Sequence, residues 1–163
     1  ATIEQLNDGL LWMLMRTNWG VFWEAFSENQ GLAWKNYRPT SIDASSAPGL
    51  LHRLKSGRLF LVWNRLYPEG ARDYPLNGGD GVFSEVPQSN HRDELSVMLS
   101  EDDGATWSHP VVIARVTEES RWKNLAYPRV FESSPGEIWI TTTYAEFAGD
   151  LSVRLFEKDF ASA

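Results

Sequence analysis

The densest run of chemically capable side chains in this sequence is S-E-D-D-G-A-T-W, residues 100–107. Three carboxylates, two hydroxyls, a glycine and a tryptophan fall within one short stretch. Two chemistries fit such a run: a cation-binding loop, or a turn that bonds itself. An EF-hand loop needs alternating oxygen ligands and a closing Glu, and both are lacking. Read as S-x-D-x-G-x-T-W, the same residues make a hairpin turn. Asp102 accepts from backbone N–H groups after the Ser100 turn, Gly104 permits a positive φ, and Thr106 leads to Trp107, whose ring is suited to burial between sheets. A degenerate copy, S-E-N-Q-G-L-A-W over 27–34, keeps Ser27, Gly31 and Trp34 and replaces Asp by Asn29. Two copies favour a repeated structural unit over an incidental acidic turn.

Other candidate chemistries fall away. His52, His91 and His109 lack metal-ligand spacing and read as surface residues. N-G-G-D-G (77–81) is a lone glycine-rich turn without the strand–loop–helix context of a phosphate loop. There is no G-x-S-x-G and no Cys, which removes disulfides and thiolate metal sites. No metal and no cofactor is expected. The net charge of −7 repels nucleic acid and anionic membranes. It still allows a local basic pocket for a small anion. No apolar run is long enough to span a bilayer. The chain carries no signal peptide and begins without Met, the expectation for a processed or excised piece.

The elements that must position these residues read as short strands. With 163 residues the chain is long enough for one domain with a core. Apolar or alternating runs lie at 9–17, 20–26, 49–54, 57–66, 94–99, 109–116, 127–131, 137–144 and 151–160, and no segment has a clear helical period with caps. N-D-G-L-L-W-M-L-M-R, K-S-G-R-L-F-L-V-W-N and S-P-G-E-I-W-I-T-T-T share one form, a polar turn ending in Gly and then an apolar strand. The order Gly-turn strand, second strand, S-x-x-x-G-x-x-W, last strand occurs twice. A repeated four-strand unit favours propeller blades. The expected blades are about 1–46, 47–118 and 119–163, the third without its fourth strand. A Pro- and Gly-rich loop over 67–92 interrupts the middle unit. Trp12, Trp23, Trp63 and Trp139 read as packing residues, with Trp19 or Trp122 available to stack on a sugar.

The S-x-D-x-G-x-T-W turn resembles the Asp box of the sialidase (neuraminidase) superfamily and related BNR-repeat β-propellers. The likeness extends over essentially the whole chain. T-I-E-Q-L-N-D-G-L-L-W-M-L-M-R-T-N-W-G is similar to the family's strand that ends on an active-site Arg. H-R-D-E-L-S-V-M-L-S-E-D-D-G-A-T-W resembles the stretch with another Arg ahead of an Asp box. A-Y-P-R-V-F-E-S-S-P-G-E-I-W-I-T-T-T-Y resembles the segment that opens with the nucleophilic Tyr. Carried over, these are Arg16, Arg92 and Tyr127, two substrate-binding residues and one catalytic residue. Alone, the three also admit the lesser reading of solvated charges and a packed aromatic. Strand alternation places all three at one face, opposite the Asp-box turns, with loop 67–92 on their side.

The resemblance implies an all-β, sialidase-like six-bladed propeller of which this chain supplies about three blades. It implies a secreted or periplasmic setting and sialic acid or a related acidic glycan as partner. Arg binds a carboxylate bidentately, and a neutral Tyr nucleophile avoids repulsion by that anion. The family's acid Asp, third Arg and Glu partner of the Tyr have no counterpart here. Glu4 lies too far along the strand to be that partner. The chain alone is therefore expected not to hydrolyse sialosides. The rival reading is a non-catalytic propeller module that binds glycans or proteins. Either way the end blades need covering, by the missing N-terminal half or by a second copy.

Overall fold

The computed structural model describes residues 1–69, 76–77, 88–89, 91–116, 125–144 and 150–160. Trp122 and most of N-G-G-D-G lie outside them. The fold is all-β and antiparallel, and among the described residues there is no α-helix. Strands are numbered in chain order. The first sheet is β1 (Thr2–Gln5), β2 (Leu11–Met15), β3 (Val21–Ser27) and β4 (Lys35–Asp43), paired in that order. β5 (Leu50–Arg53) and β6 (Leu59–Trp63) open the second sheet. A two-stranded ribbon follows, β7 (Leu76–Asn77) with β8 (Gln88–Ser89), and β9 (Glu94–Ser100) and β10 (Val111–Arg115) complete the sheet in the order β5-β6-β9-β10. The third sheet has three strands, β11 (Leu125–Ser134), β12 (Glu137–Tyr144) and β13 (Asp150–Phe156).

The middle sheet explains why its strands read as unbroken apolar runs. Every residue of β6 and β9 is buried, because both faces of the sheet are covered. Period-2 alternation then sorts the side chains. Leu59, Leu61 and Trp63 face the first sheet and pack with Trp12, Leu14, Phe22, Leu51 and Met98. Phe60 and Val62 face the third and pack with Leu95, Val97, Leu125, Ile138 and Ile140. Each such side chain contributes about 1.5–3 kcal/mol on burial.

Hairpin turns set the ends of the strands. At β1–β2 and β5–β6 the chain repeats one geometry: Gly9 N–H donates to Leu6 and Gly57 N–H to Leu54, with φ of 92° and 94°. These are the Gly-ending turns visible in the sequence.

The sequence reading differs from the structure at several edges. Its apolar runs start at residue 9, yet Thr2–Gln5 pairs along β2; four residues are too few to show a period. β11 begins at Leu125, two residues ahead of the expected start at Tyr127. After Phe156 the chain turns through a single 3-10 turn, Glu157–Asp159, where the sequence reads continuous strand. The segment read as a loop over 67–92 contains the β7–β8 ribbon. His91 reads as a surface residue, but its side chain is only 16% exposed and its Nδ1 lies 3.2 Å from Asp93.

Candidate functional site

The two S-x-x-x-G-x-x-W turns occupy one end of the strands and share a hydrogen-bond scheme. In the first, Ser27 Oγ donates to Asn29 Oδ1 (3.0 Å) and accepts from Gly31 N–H (2.9 Å), while Ala33 N–H donates to Asn29 Oδ1 (2.8 Å). In the second, Ser100 Oγ donates to Asp102 Oδ1 (2.8 Å) and accepts from Gly104 N–H (2.8 Å), and Thr106 N–H donates to Asp102 Oδ1 (2.7 Å). The Thr106 hydroxyl adds a bond to Asp102 Oδ2 that Ala33 cannot supply. The Thr106 hydroxyl and N–H, then the Ser100 hydroxyl, hold the Asp102 carboxyl below the usual carboxylate range. The side-chain oxygens of Ser100 and Asp102 are spent on the turn itself. Trp107 packs against Trp12 of the neighbouring sheet, ring centroids 6.3 Å apart.

The same end carries ties that the sequence reading missed. Asp103 accepts from Asn7 N–H (2.9 Å) in the β1–β2 turn and from Arg53 (2.6 Å) in the second sheet. Burial pushes its carboxyl up, but the Asn7 N–H and the Arg53 guanidinium outweigh burial and hold it below the usual range. Glu132, buried in β11, accepts from Lys55 N–H (2.6 Å) and Gly136 N–H (2.7 Å), fastening the second sheet to the third. Glu4 accepts from Arg53 N–H at this end, away from Tyr127. Nothing in local sequence distinguishes these acids from surface charges.

Arg16, Arg92 and Tyr127 sit at the opposite end. Arg16 directly follows β2, Arg92 lies two residues ahead of β9, and Tyr127 is the third residue of β11. The structure brings the three together. Arg92 foremost, and Arg16 with it, act on the Tyr127 hydroxyl in the same direction. Against the upward push of burial, they hold the phenol below its usual range. The Arg92 guanidinium carbon also stands 5.6 Å from the centre of the Tyr127 ring. Tyr127 remains 51% exposed, so the hydroxyl is reachable from solvent.

The backbone that presents Tyr127 is unusual. Its φ is +55°, the left-handed region that bulky residues rarely adopt. Tyr127 and Pro128 together oppose one residue of β12, because the pairing jumps from Ala126↔Thr143 to Arg129↔Thr141. This is a β-bulge, which re-aims a side chain at the cost of a ladder bond. Thr142 and Thr143 repair the loss: both hydroxyls donate to Ala126 O at 2.8 Å. Strain of this kind, about 1–3 kcal/mol per residue, persists where surrounding structure fixes it.

Arg92 is fixed from the side of the first sheet. Its Nη2 donates to Ser46 O (3.1 Å), Ser46 Oγ donates to Asn18 Oδ1 (2.9 Å), and Ser45 Oγ donates to His91 O (2.7 Å). Ala44–Ala47, the link between the first two sheets, is buried beneath this end, which accounts for its small residues. Trp19, 60% exposed, projects from the β2–β3 loop beside Trp23, ring centroids 5.1 Å apart. Trp139 is not interior packing: it lies on the outer face of the third sheet with Phe131 and Arg154 as cross-strand neighbours. Among the described residues no group of His, Asp and Glu is arranged to hold a metal ion, and no helix is long and apolar enough to cross a membrane.

No curated protein matches the chain. Among solved structures it is similar to a protein of unknown function from Dyadobacter fermentans DSM 18053, with 15% sequence identity and a TM-score of 0.49. That likeness covers 94% of this chain and 46% of the other, so the chain spans less than half of that protein's length. The model of the BNR repeat-like domain matches residues 1–140, most of the sequence and both Asp-box turns. The chain belongs to the BNR repeat-like domain family.

Proposed function

We propose that Arg16, Arg92 and Tyr127 form a binding corner for the carboxylate of an acidic sugar, of the kind a sialidase-like protein recognises. The observation that carries this reading is the Arg92 guanidinium standing 5.6 Å from the centre of the exposed Tyr127 ring, with Arg92 and Arg16 both lowering the phenol. A carboxylate entering there meets two permanent charges with fork geometry, suited to bidentate pairing. It also meets an acidified Tyr, a neutral oxygen nucleophile poised toward ionisation. In a catalytic centre the phenol oxygen would attack the anomeric carbon, its proton passing to a nearby base. The glycosidic oxygen would leave as an alcohol after taking a proton from a separate acid. Such a base and acid belong to the longer protein in this reading.

The non-catalytic alternative keeps the corner and drops the chemistry. Trp19, exposed at this same end, supports it as a surface on which a sugar ring stacks. Calorimetric titration with N-acetylneuraminic acid tests the shared part. Wild-type chain is expected to bind, and Arg92→Ala and Arg16→Ala to weaken binding with little loss of stability. Equal affinity in all three would refute the site.

The three sheets read best as successive propeller blades. Their two outer faces support this: Ile3 on the first sheet and Phe131, Trp139 and Phe156 on the third are exposed large apolar side chains. Clustered exposed apolar surface is uncommon on soluble monomers. The proposed cover is more blades, supplied by the rest of a longer protein or by a second copy related by a two-fold axis. Light scattering of this chain is expected to show self-association; a monomer at high concentration would refute it.

A further inference from the structure

Asn64 follows β6 and is 1% exposed, an expensive place for an amide. Its Nδ2 donates to Glu94 O at 2.8 Å and to Leu125 O at 2.8 Å. Both partners are carbonyls, so the nitrogen, not the oxygen, must face them. Its Oδ1 has no partner among the described residues. A buried acceptor left unpaired is costly, so the two N–H groups account for the choice of Asn. Glu94 lies two residues after Arg92, and Leu125 two residues before Tyr127. A third bond closes the link directly, from Leu125 N–H to Arg92 O at 2.6 Å. The main chain of Asn64 is itself held, its O accepting from Ser45 N–H at 3.0 Å.

We infer that Asn64 is a positioning residue of the anion site, its one amide fixing the Arg92 segment against the Tyr127 segment across two sheets. This rests on the reading of Arg92 and Tyr127 as that site. The side chain spans the junction where the two segments arrive from different strands, with β9 on one side and the bulged β11 on the other. An apolar residue of similar size would fill the space and lose the link. An acid would set oxygens against carbonyls. Small misplacements of binding groups are expensive in function, up to about a hundredfold for 1 Å.

The test is a pH titration of ring-labelled tyrosine by NMR on the whole chain, with the Tyr127 resonance assigned by its loss in Tyr127→Phe. Wild-type Tyr127 is expected to ionise below the ordinary phenol range. Asn64→Ala is expected to lose most of that depression and to bind N-acetylneuraminic acid about tenfold more weakly. Gly31→Ala, which strains a turn at the far end of the first sheet, is expected to keep both. Should Asn64→Ala not fold, Asn64→Leu fills the space without the donors and carries the same expectation. If Tyr127 stays depressed without Asn64, the inference falls while the site stands. If Gly31→Ala loses the depression equally, general loosening explains it and the inference falls. An ordinary Tyr127 in the wild type would overturn the site and Asn64 with it.

Discussion

Gly31 and Gly104 occupy equivalent positions in the two S-x-x-x-G-x-x-W turns, with φ of +87° and +86°. Substituting Ala at either forces an L side chain into left-handed backbone, a cost of about 1–2 kcal/mol. The surroundings then separate the two. A Cβ at Gly31 would meet Leu11 and Trp34 at 3.8 Å, ordinary contact. A Cβ at Gly104 would lie 2.5 Å from Trp12 Cζ3 and 2.6 Å from Cη2. Trp12 cannot easily yield: it is 4% exposed, stacked on Phe26, and its Nε1 donates to Glu24 at 2.9 Å. Overpacking a tight site adds about 1–3 kcal/mol. Gly104→Ala should therefore cost about 2–5 kcal/mol and Gly31→Ala about 1–2 kcal/mol. Urea unfolding of the two variants measures the gap, and a compensating Trp12→Leu should recover part of the loss only in the Gly104→Ala background. Equal losses, or a larger loss at Gly31, would refute the claim that the second turn is seated on the neighbouring sheet.

Three further outcomes follow from the same contacts. Glu132→Gln keeps one acceptor where two part-buried N–H groups need one each, so it should lower stability by about 1 kcal/mol, read from thermal denaturation; an unchanged melt would mean the sheets do not depend on that tie. Asp103 titrates below the usual range when folded, so its ionised form adds stability that is fully present above the unfolded carboxylate pKa and lost as pH falls through the folded value. Urea midpoints of Asp103→Asn should lie below wild type at neutral pH and converge with it in acid, and a gap that does not change with pH would contradict this. Arg16 is exposed, so Arg16→Lys should leave stability within about 0.5 kcal/mol while weakening acidic-sugar binding through loss of the fork; a fallen melt with unchanged affinity would make Arg16 structural.

The sequence carried the turns well because turn chemistry is local. Ser100, Asp102, Gly104 and Thr106 bond one another within seven residues, so their spacing is the structure. The strands beside those turns were legible for the same reason, being bounded by a Gly turn or a box. The ends of strands were less so: Thr2–Gln5 is too short for a period, and the extra residues of β11 ahead of Tyr127 are paired through a bulge that no propensity encodes. Arg16, Arg92 and Tyr127 were brought forward by resemblance, and their convergence depends on contacts between segments 35 or more residues apart. What the sequence could not show is the support beneath them. Asn64, Ser46 and Thr142 look like ordinary polar residues until the chain is folded; Asn64 and Thr142 satisfy carbonyls of other strands, and Ser46 ties Arg92 to the Asn18 side chain. The buried acids Glu132 and Asp103 are hidden in the same way.

The most direct test of the acidic-sugar corner is the response of the labelled Tyr127 ring to N-acetylneuraminic acid and to its methyl ester. The two ligands differ only in the charge that Arg16 and Arg92 are proposed to read. The free acid is expected to shift the Tyr127 resonance in a saturable way, with the ester far weaker and Arg92→Ala abolishing the difference. An ester that binds as well as the acid, or an acid that leaves Tyr127 unmoved, would contradict the account.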